Sequence, residues 1–216
     1  MIKKIKASKS EKILFLFLIS ISIFALISFF LLKNKCLFVE KNNLSKLKFN
    51  KPNNIAVMNV ECGNVIIELY PDISPKSVER FKILIEEKMY DGSAFYKVAE
   101  NTFVQAGDIE YGNIINLDYT KIGSGKSGLG LLKSELSNDF KFTKGSVGFA
   151  RTTEFDTEDS EFFITLKEIP IYQGEYTPIG KVIYGMDILT KIKTGNKAIY
   201  VLRPDYINTF RMLNSN

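Results

Sequence analysis

A chain of 216 residues with 45% apolar side chains is long enough for one substantial core plus an appendage, and short for two full domains. The formal charge is +5, but ten lysines against Glu11 and Glu40 give the first fifty residues +8, which leaves −3 for the remainder and argues against nucleic-acid binding. Histidine is absent, which excludes His-based triads, His metal sites and His pH switches, and two cysteines, Cys36 and Cys62, make no zinc site alone. The cysteines leave a choice between buried free thiols and a single Cys36–Cys62 bridge outside the cytosol.

Residues 1–12 are a basic N-terminus. Residues 13–32, ILFLFLISISIFALISFFLL, are an uncharged run between Lys12 and Lys33. At about 1.5 Å per residue this run spans a hydrocarbon core of roughly 30 Å, so it reads as a transmembrane signal anchor. Secretory apolar segments are shorter, about 7 to 15 residues, and LKNKC holds no small-x-small cleavage pattern. Lysines crowd both ends, so charge alone does not orient the helix. A first apolar segment acting in the usual way leaves residues 1–12 in the cytoplasm and the bulk of the chain on the exported, periplasmic or extracytoplasmic, side. Residues 33–53 are polar and read as a linker, residues 54–216 as the folded domain.

That domain opens with alternating segments 55–61 and 65–70 around Cys62-Gly63-Asn64, a β-hairpin. Ser74 then stands as N-cap and Pro75 as first residue of a helix whose Val78, Phe81, Leu84 and Ile85 form one apolar stripe. The stretch FYKVAENTFVQAGD, residues 95–108, runs as a strand, turns a polar corner and returns. It brings together a cation, Lys97, an aromatic, Phe103, and an amide, Gln105, which is a binding-site composition. GSGKSG, residues 123–128, has the letters of a dinucleotide fingerprint but neither a strand before it nor a helix opening at it, so it reads as a flexible surface loop. Five acids between Glu154 and Glu161 lack the ordered oxygens of a calcium loop and read as a solvated face. Strand character resumes over 140–150, 162–165 and 181–184, a second helix follows through Lys193, and residues 206–212 make a last strand. About eight short strands and two helices predict a mainly β, closed barrel, since closure removes sheet edges.

Two blocks, FYKVAENTFVQAGD and GFARTTEFDTEDSEFFI, resemble the cyclophilin family of peptidyl-prolyl cis-trans isomerases, whose usual forms are close to FHRVIxxFxxQGGD and SMARTxxPxSxxSQFFI. GNVIIELYPDISPKSVERFKILIEEKMYDG is similar to that family's first hairpin and helix, and GEYTPIGKVIYGMDILTKI to its later strand and helix. The resemblance implies an eight-stranded antiparallel barrel with a helix over each end and a proline pocket on the outer surface. It implies proline-containing peptide segments as partners, a monomer, and neither cofactor nor metal. It makes Lys97 and Gln105 the catalytic residues, and Phe103, Ala150, Arg151, Glu161, Phe163, Tyr172, Tyr176 and Ile179 the substrate-binding ones, with backbone amide and carbonyl groups of Ala150 and Arg151 receiving the peptide.

Several positions depart from the pattern. Lys97 stands where the family presents an arginine, Glu161 replaces a glutamine, Thr102 stands at the usual pocket phenylalanine and Ile171 at a tryptophan of many relatives. These changes lead to the expectation that Lys97 and Glu161 pair across the groove. The function implied is X-Pro isomerisation assisting the folding of extracytoplasmic proteins. The alternatives are a weakly catalytic proline-binding or chaperone module tethered to the membrane, and a structural domain of a membrane assembly.

Overall fold

A computed structural model describes residues 8–33, 35–37, 39–40, 44–195 and 200–213. Residues 1–7 of the basic N-terminus and residues 34, 38 and 41–43 of the linker lie outside the described residues. The chain divides into two compact units, Met1–Phe38 and Val39–Asn216.

In the first unit, α1 runs from Lys9 to Lys33, longer at both ends than the apolar run that predicts it. Ser8 and Glu11 close its N-terminus reciprocally: the Ser8 N–H donates to Glu11 Oε2 at 2.7 Å and the Glu11 N–H to Ser8 Oγ at 3.2 Å. This is a capping box, which satisfies two of the otherwise unpaired groups at a helix start. Over Lys9–Leu31 the mean hydropathy is 2.8, enough by length and composition to cross a membrane.

In the second unit the strands are β1 (Ile55–Val60), β2 (Gly63–Leu69), β3 (Lys97–Ala99), β4 (Phe103–Ala106), β5 (Gly112–Asn113), β6 (Asn116–Leu117), β7 (Ser146–Phe149), β8 (Phe162–Thr165), β9 (Pro178–Tyr184) and β10 (Thr209–Met212), with helices α2 (Pro75–Glu86) and α3 (Met186–Leu189). Eight strands form one antiparallel sheet in the order β10-β1-β2-β9-β7-β8-β4-β3, and β5 with β6 makes a separate hairpin. The first hairpin turns on Glu61 and Cys62, with Val60 opposite Gly63.

The expected closed barrel is corrected to a curled half-barrel. β3 and β10 share no ladder; residues 92–97 and 200–207 are linked by isolated bridges, Ala94 to Tyr206 and Lys97 to Tyr200, and by scattered backbone hydrogen bonds instead of a continuous strand pair. Residues 203–205 interrupt what would be a continuous last strand: Arg203 has φ 61°, and Asp205 turns its carboxylate to the Lys193 N–H at 2.8 Å. β10 itself begins only at Thr209, three residues after the expected start. The second helix is likewise four residues, not eight, and Lys193 bonds Asp205 instead of extending it.

Alternation sorts the sheet into two faces. The concave face receives Phe149, Phe162 and Phe210, and α2 lays Phe81 onto all three at centroid separations of 5.9, 5.2 and 5.6 Å, each near edge-to-face. Tyr90, just past α2, joins Phe81 and Phe162 and donates its buried hydroxyl to the Ser160 carbonyl at 2.7 Å. Such pairs contribute about 0.5–1.5 kcal/mol each beyond area burial, so this cluster dominates the core. The predicted stripe of α2 is the buried one: Val78, Phe81, Leu84 and Ile85.

Ser74 precedes α2 as expected but does not cap it with its side chain, because Ser74 Oγ is buried and donates to the Pro178 carbonyl at 2.5 Å. The cap comes from 60 residues away in sequence: Glu135 accepts from the Lys76 and Ser77 N–H groups at 3.2 and 2.8 Å. A carboxylate there also opposes the positive end of the helix dipole. Both cysteines are disulfide-bonded, which removes the free-thiol alternative.

Candidate functional site

The convex face of the sheet carries a row set by register. Lys97 lies opposite Gln105 across β3 and β4, Gln105 opposite Phe163 across β4 and β8, Phe163 opposite Gly148 across β8 and β7, and Gly148 opposite Pro178 on β9. Because side chains on one face recur every second residue, Phe103 follows Gln105 one pleat along, between Ala99 and Thr165. The sequence therefore brings cation, amide and aromatic ring to one surface on three adjacent strands, through two ladders.

Phe163 is the floor of an aromatic cup. Tyr172 and Tyr176 stand over it edge-on at 5.3 and 5.2 Å and lie 4.6 Å from each other, with Phe142 beneath at 5.7 Å. The 3-10 turn at Pro170–Tyr172 delivers Tyr172 and leaves Ile171 outside, 78% exposed. Arg151 holds the rim. Its guanidinium sits 4.1 Å from the Phe155 ring and 5.0 Å from the Tyr176 ring, pairs with Glu175 at 3.2 Å, and donates to the carbonyls of Thr152, Thr153 and Glu175. The Arg151 side chain is thus engaged in fixing the loop.

The backbone beside it divides differently from the expectation. The Ala150 N–H is taken by the Glu161 carbonyl at 2.8 Å. The Arg151 N–H and C=O make no hydrogen bond among the described residues and are open to a ligand. Ile179 is completely buried in β9 and does not reach the groove.

Beside the cup lies a cavity of about 100 Å³ whose walls include Lys97, Gln105, Ala150, Arg151, Glu161 and, missed in the sequence reading, Tyr96, Lys126 and Tyr200. The expected pairing of Lys97 with Glu161 is not formed. Glu161 Oε2 accepts instead from the Tyr96 hydroxyl, in a short contact, and from Gln105 Nε2 at 2.8 Å, while Gln105 Nε2 also donates to the Tyr96 oxygen at 2.8 Å. Burial raises the Glu161 carboxyl above its ordinary range against the opposing pull of these hydrogen bonds and, more weakly, of Lys97. Burial beside that carboxylate raises the Tyr96 hydroxyl as well. Tyr96 was legible only as the unremarked residue between Phe95 and Lys97; Tyr200 stacks on it at 6.1 Å from far along the chain.

The GSGKSG loop lines the cavity, and its backbone is tied to acidic side chains. Gly123 and Gly125 donate their N–H groups to Asp108 Oδ2 at 2.6 and 3.2 Å, Lys126 to Glu110 at 2.9 Å and Ser127 to Asp159 at 2.8 Å, and Arg80 ties the carbonyls of Leu129 and Gly130. The backbone donors that would cradle a phosphate are satisfied by the protein's own carboxylates.

Residues 55–211 match the cyclophilin type peptidyl-prolyl cis-trans isomerase/CLD family. The chain belongs to this family. It is similar to a probable peptidyl-prolyl cis-trans isomerase of Brucella suis, 38% identical over 148 residues that make up 68% of this chain and 75% of that protein. A peptidyl-prolyl cis-trans isomerase of Acinetobacter baylyi is 31% identical over 65% of this chain and 72% of its own length. The fold is similar to a cyclophilin from Hirschia baltica, with a TM-score of 0.65, 18% identity and 76% of each chain covered. It is also similar to a Cryptosporidium parvum cyclophilin type isomerase crystallised in the presence of the dipeptide Ala-Pro, with a TM-score of 0.64, 23% identity, and 75% and 99% of the two chains covered.

Proposed function

We propose that this chain is a peptidyl-prolyl cis-trans isomerase that works on X-Pro bonds of extracytoplasmic proteins, held at a membrane by α1. The isomerase activity rests on family membership and on the names of its relatives. The observation that carries the reading of the site is the cross-strand row Lys97, Gln105, Phe163, with the free backbone edge of Arg151 beside it.

The chemistry needs no covalent step. The barrier to rotation, about 18–20 kcal/mol, comes from lost amide resonance as the C–N bond twists, so the protein need only bind the twisted bond better than either planar form. The proline ring is received at the cup of Phe163, Tyr172 and Tyr176, against the outer side of the two tyrosines that pack on each other, and the Arg151 backbone pairs with the peptide. As resonance is lost the prolyl nitrogen recovers a lone pair, and the Lys97 ammonium is the donor placed to stabilise it. Export is supported by α1 and by the bonded state of both cysteines, since disulfides persist in oxidising compartments.

Exchange spectroscopy on a short X-Pro peptide with the full chain in detergent micelles tests the reading. Wild type accelerates exchange, and Lys97→Ala loses about 100-fold, the cost of one preorganised donor. Peptide binding with no acceleration in wild type moves the protein to the binding-module alternative.

A further inference from the structure

Gln105 carries an amide whose two ends differ only by oxygen and nitrogen, and which end faces the peptide decides whether it donates or accepts there. Its neighbour at 161 settles the matter by its chemistry. An ionised carboxylate only accepts, so the end of the Gln105 amide that faces Glu161 Oε2 at 2.8 Å is the nitrogen. The Tyr96 hydroxyl stands at the same side, accepting from Gln105 Nε2 and donating to Glu161, which closes a three-membered ring of hydrogen bonds. Gln105 Oε1 is therefore turned away from the ring and makes no hydrogen bond among the described residues. Lys97 is the cross-strand neighbour of Gln105 and lines the same cavity.

We propose that Tyr96 and Glu161 are a pair of positioning residues that lock the Gln105 amide with its carbonyl oxygen offered to the groove, so that when a peptide binds this oxygen accepts from the incoming Lys97 ammonium and holds it at the prolyl nitrogen. This inference rests on the isomerase reading and adds to it the reason a lysine serves there. A lysine is a point charge on a flexible stem, so it needs an external acceptor to fix it where a planar guanidinium would hold itself. A glutamine at position 161 could face Gln105 with either end and would leave the amide free to turn over. The carboxylate removes that freedom.

The titratable and charged groups around Glu161 are Tyr96 and Lys97 from β3 and its approach, Tyr90 past α2, Asp108 after β4, Arg151 and Asp159 from the loop between β7 and β8, Lys126 from the loop over the cavity, and Tyr200 before β10. The lock holds while Glu161 is ionised and opens when it takes a proton. The hydrogen bonds from Tyr96 and Gln105 favour the ionised form against the burial that opposes it.

The test uses the full chain in detergent micelles with 15N labelling, comparing wild type, Glu161→Gln and Tyr96→Phe. In wild type the side-chain amide signals of Gln105 titrate with pH as Glu161 protonates, and kcat/KM for X-Pro exchange falls with the same midpoint on the acid side. In Tyr96→Phe both midpoints move to higher pH, because one of the bonds favouring ionised Glu161 is gone. In Glu161→Gln the amide titration and that acid limb disappear, and kcat falls about threefold to tenfold, the scale of one lost hydrogen bond, with KM little changed. Unchanged kcat and pH profile in both variants, or a Gln105 amide that does not titrate in wild type, overturns the proposal. A wild type without exchange activity would overturn the isomerase reading, while the amide titration still decides the lock.

Discussion

Phe163 and Gly148 face each other across the β7–β8 ladder, and the ring occupies the space a side chain at 148 would need. A Cβ on Gly148 would stand 2.6 Å from Phe163 Cζ and 2.9 Å from Phe142 Cε1, and both rings belong to the aromatic cup. We predict that Gly148→Ala tilts Phe163 into the proline seat. Thermal melts should report a loss of about 1–3 kcal/mol, the usual cost of overpacking. Peptide affinity, read by the KM of the exchange reaction, should weaken about tenfold or more, while Gln105 and Lys97, two and three strands away, remain in register.

Lys97 presents a second substitution with a clear sign. Arginine at this position offers a planar fork able to reach Gln105 Oε1 and the prolyl nitrogen together, where the ammonium divides a flexible reach between them. Lys97→Arg should therefore raise kcat/KM by about threefold to tenfold, with no measurable change in melting temperature because the position is half-buried at the edge of the groove. Exchange rates equal to or below wild type would show that the lysine is already optimally held.

What was legible in the sequence follows from locality. The α2 stripe, the first hairpin and the Lys97, Phe103, Gln105 alternation are period signals, and each survives in the fold. The parts that were not legible all depend on partners distant in the chain. Glu135 caps α2 in place of Ser74, Tyr200 stacks on Tyr96, and Asp108 gathers the glycines of residues 123–125. Closure was overestimated because strand counting ignores the break at Arg203 and Asp205. Opposite charge alone points to a pairing of Lys97 with Glu161. It lost to Tyr96, whose hydroxyl satisfies a buried carboxylate without a second charge having to leave water.

The loop over the cavity should fail by a single methyl group. Gly125 lies so close to Asp108 that a Cβ would stand 2.0 Å from its Oδ1 and 2.8 Å from its Cγ. Gly125→Ala should push the backbone off Asp108, break the Gly123 and Gly125 hydrogen bonds and leave a buried carboxylate under-satisfied, a loss of about 1–3 kcal/mol. Hydrogen exchange should show protection lost over residues 123–130, with the aromatic core of Phe81, Tyr90 and Phe162 still protected. Uniform loss of protection across the domain would instead place this loop within the global folding unit.

Glu158 makes stability depend on pH in a direction opposite to that of a salt-bridged acid. Its carboxyl is fully buried; burial raises it above the ordinary 4.5, and the Thr177 hydroxyl, donating to Oε1 at 2.7 Å, pulls the other way. The nearby Ser134 hydroxyl and, more weakly, the Arg151 charge pull the same way, but Oε2 lacks a partner within hydrogen-bond geometry. A carboxyl whose pKa is higher folded than unfolded holds its proton more tightly in the folded state. Its contribution is therefore fully present below about 4.5 and declines as pH rises through the folded value. Glu158→Gln keeps an oxygen to accept from Thr177 and removes the charge. The variant should melt at a higher temperature than wild type at pH 8 and show no such advantage at pH 4. Melting curves across that range on both proteins cancel the contribution of Glu161, which titrates in each. A variant less stable than wild type at pH 8 would mean that the ionised carboxylate is better satisfied than its buried surroundings indicate.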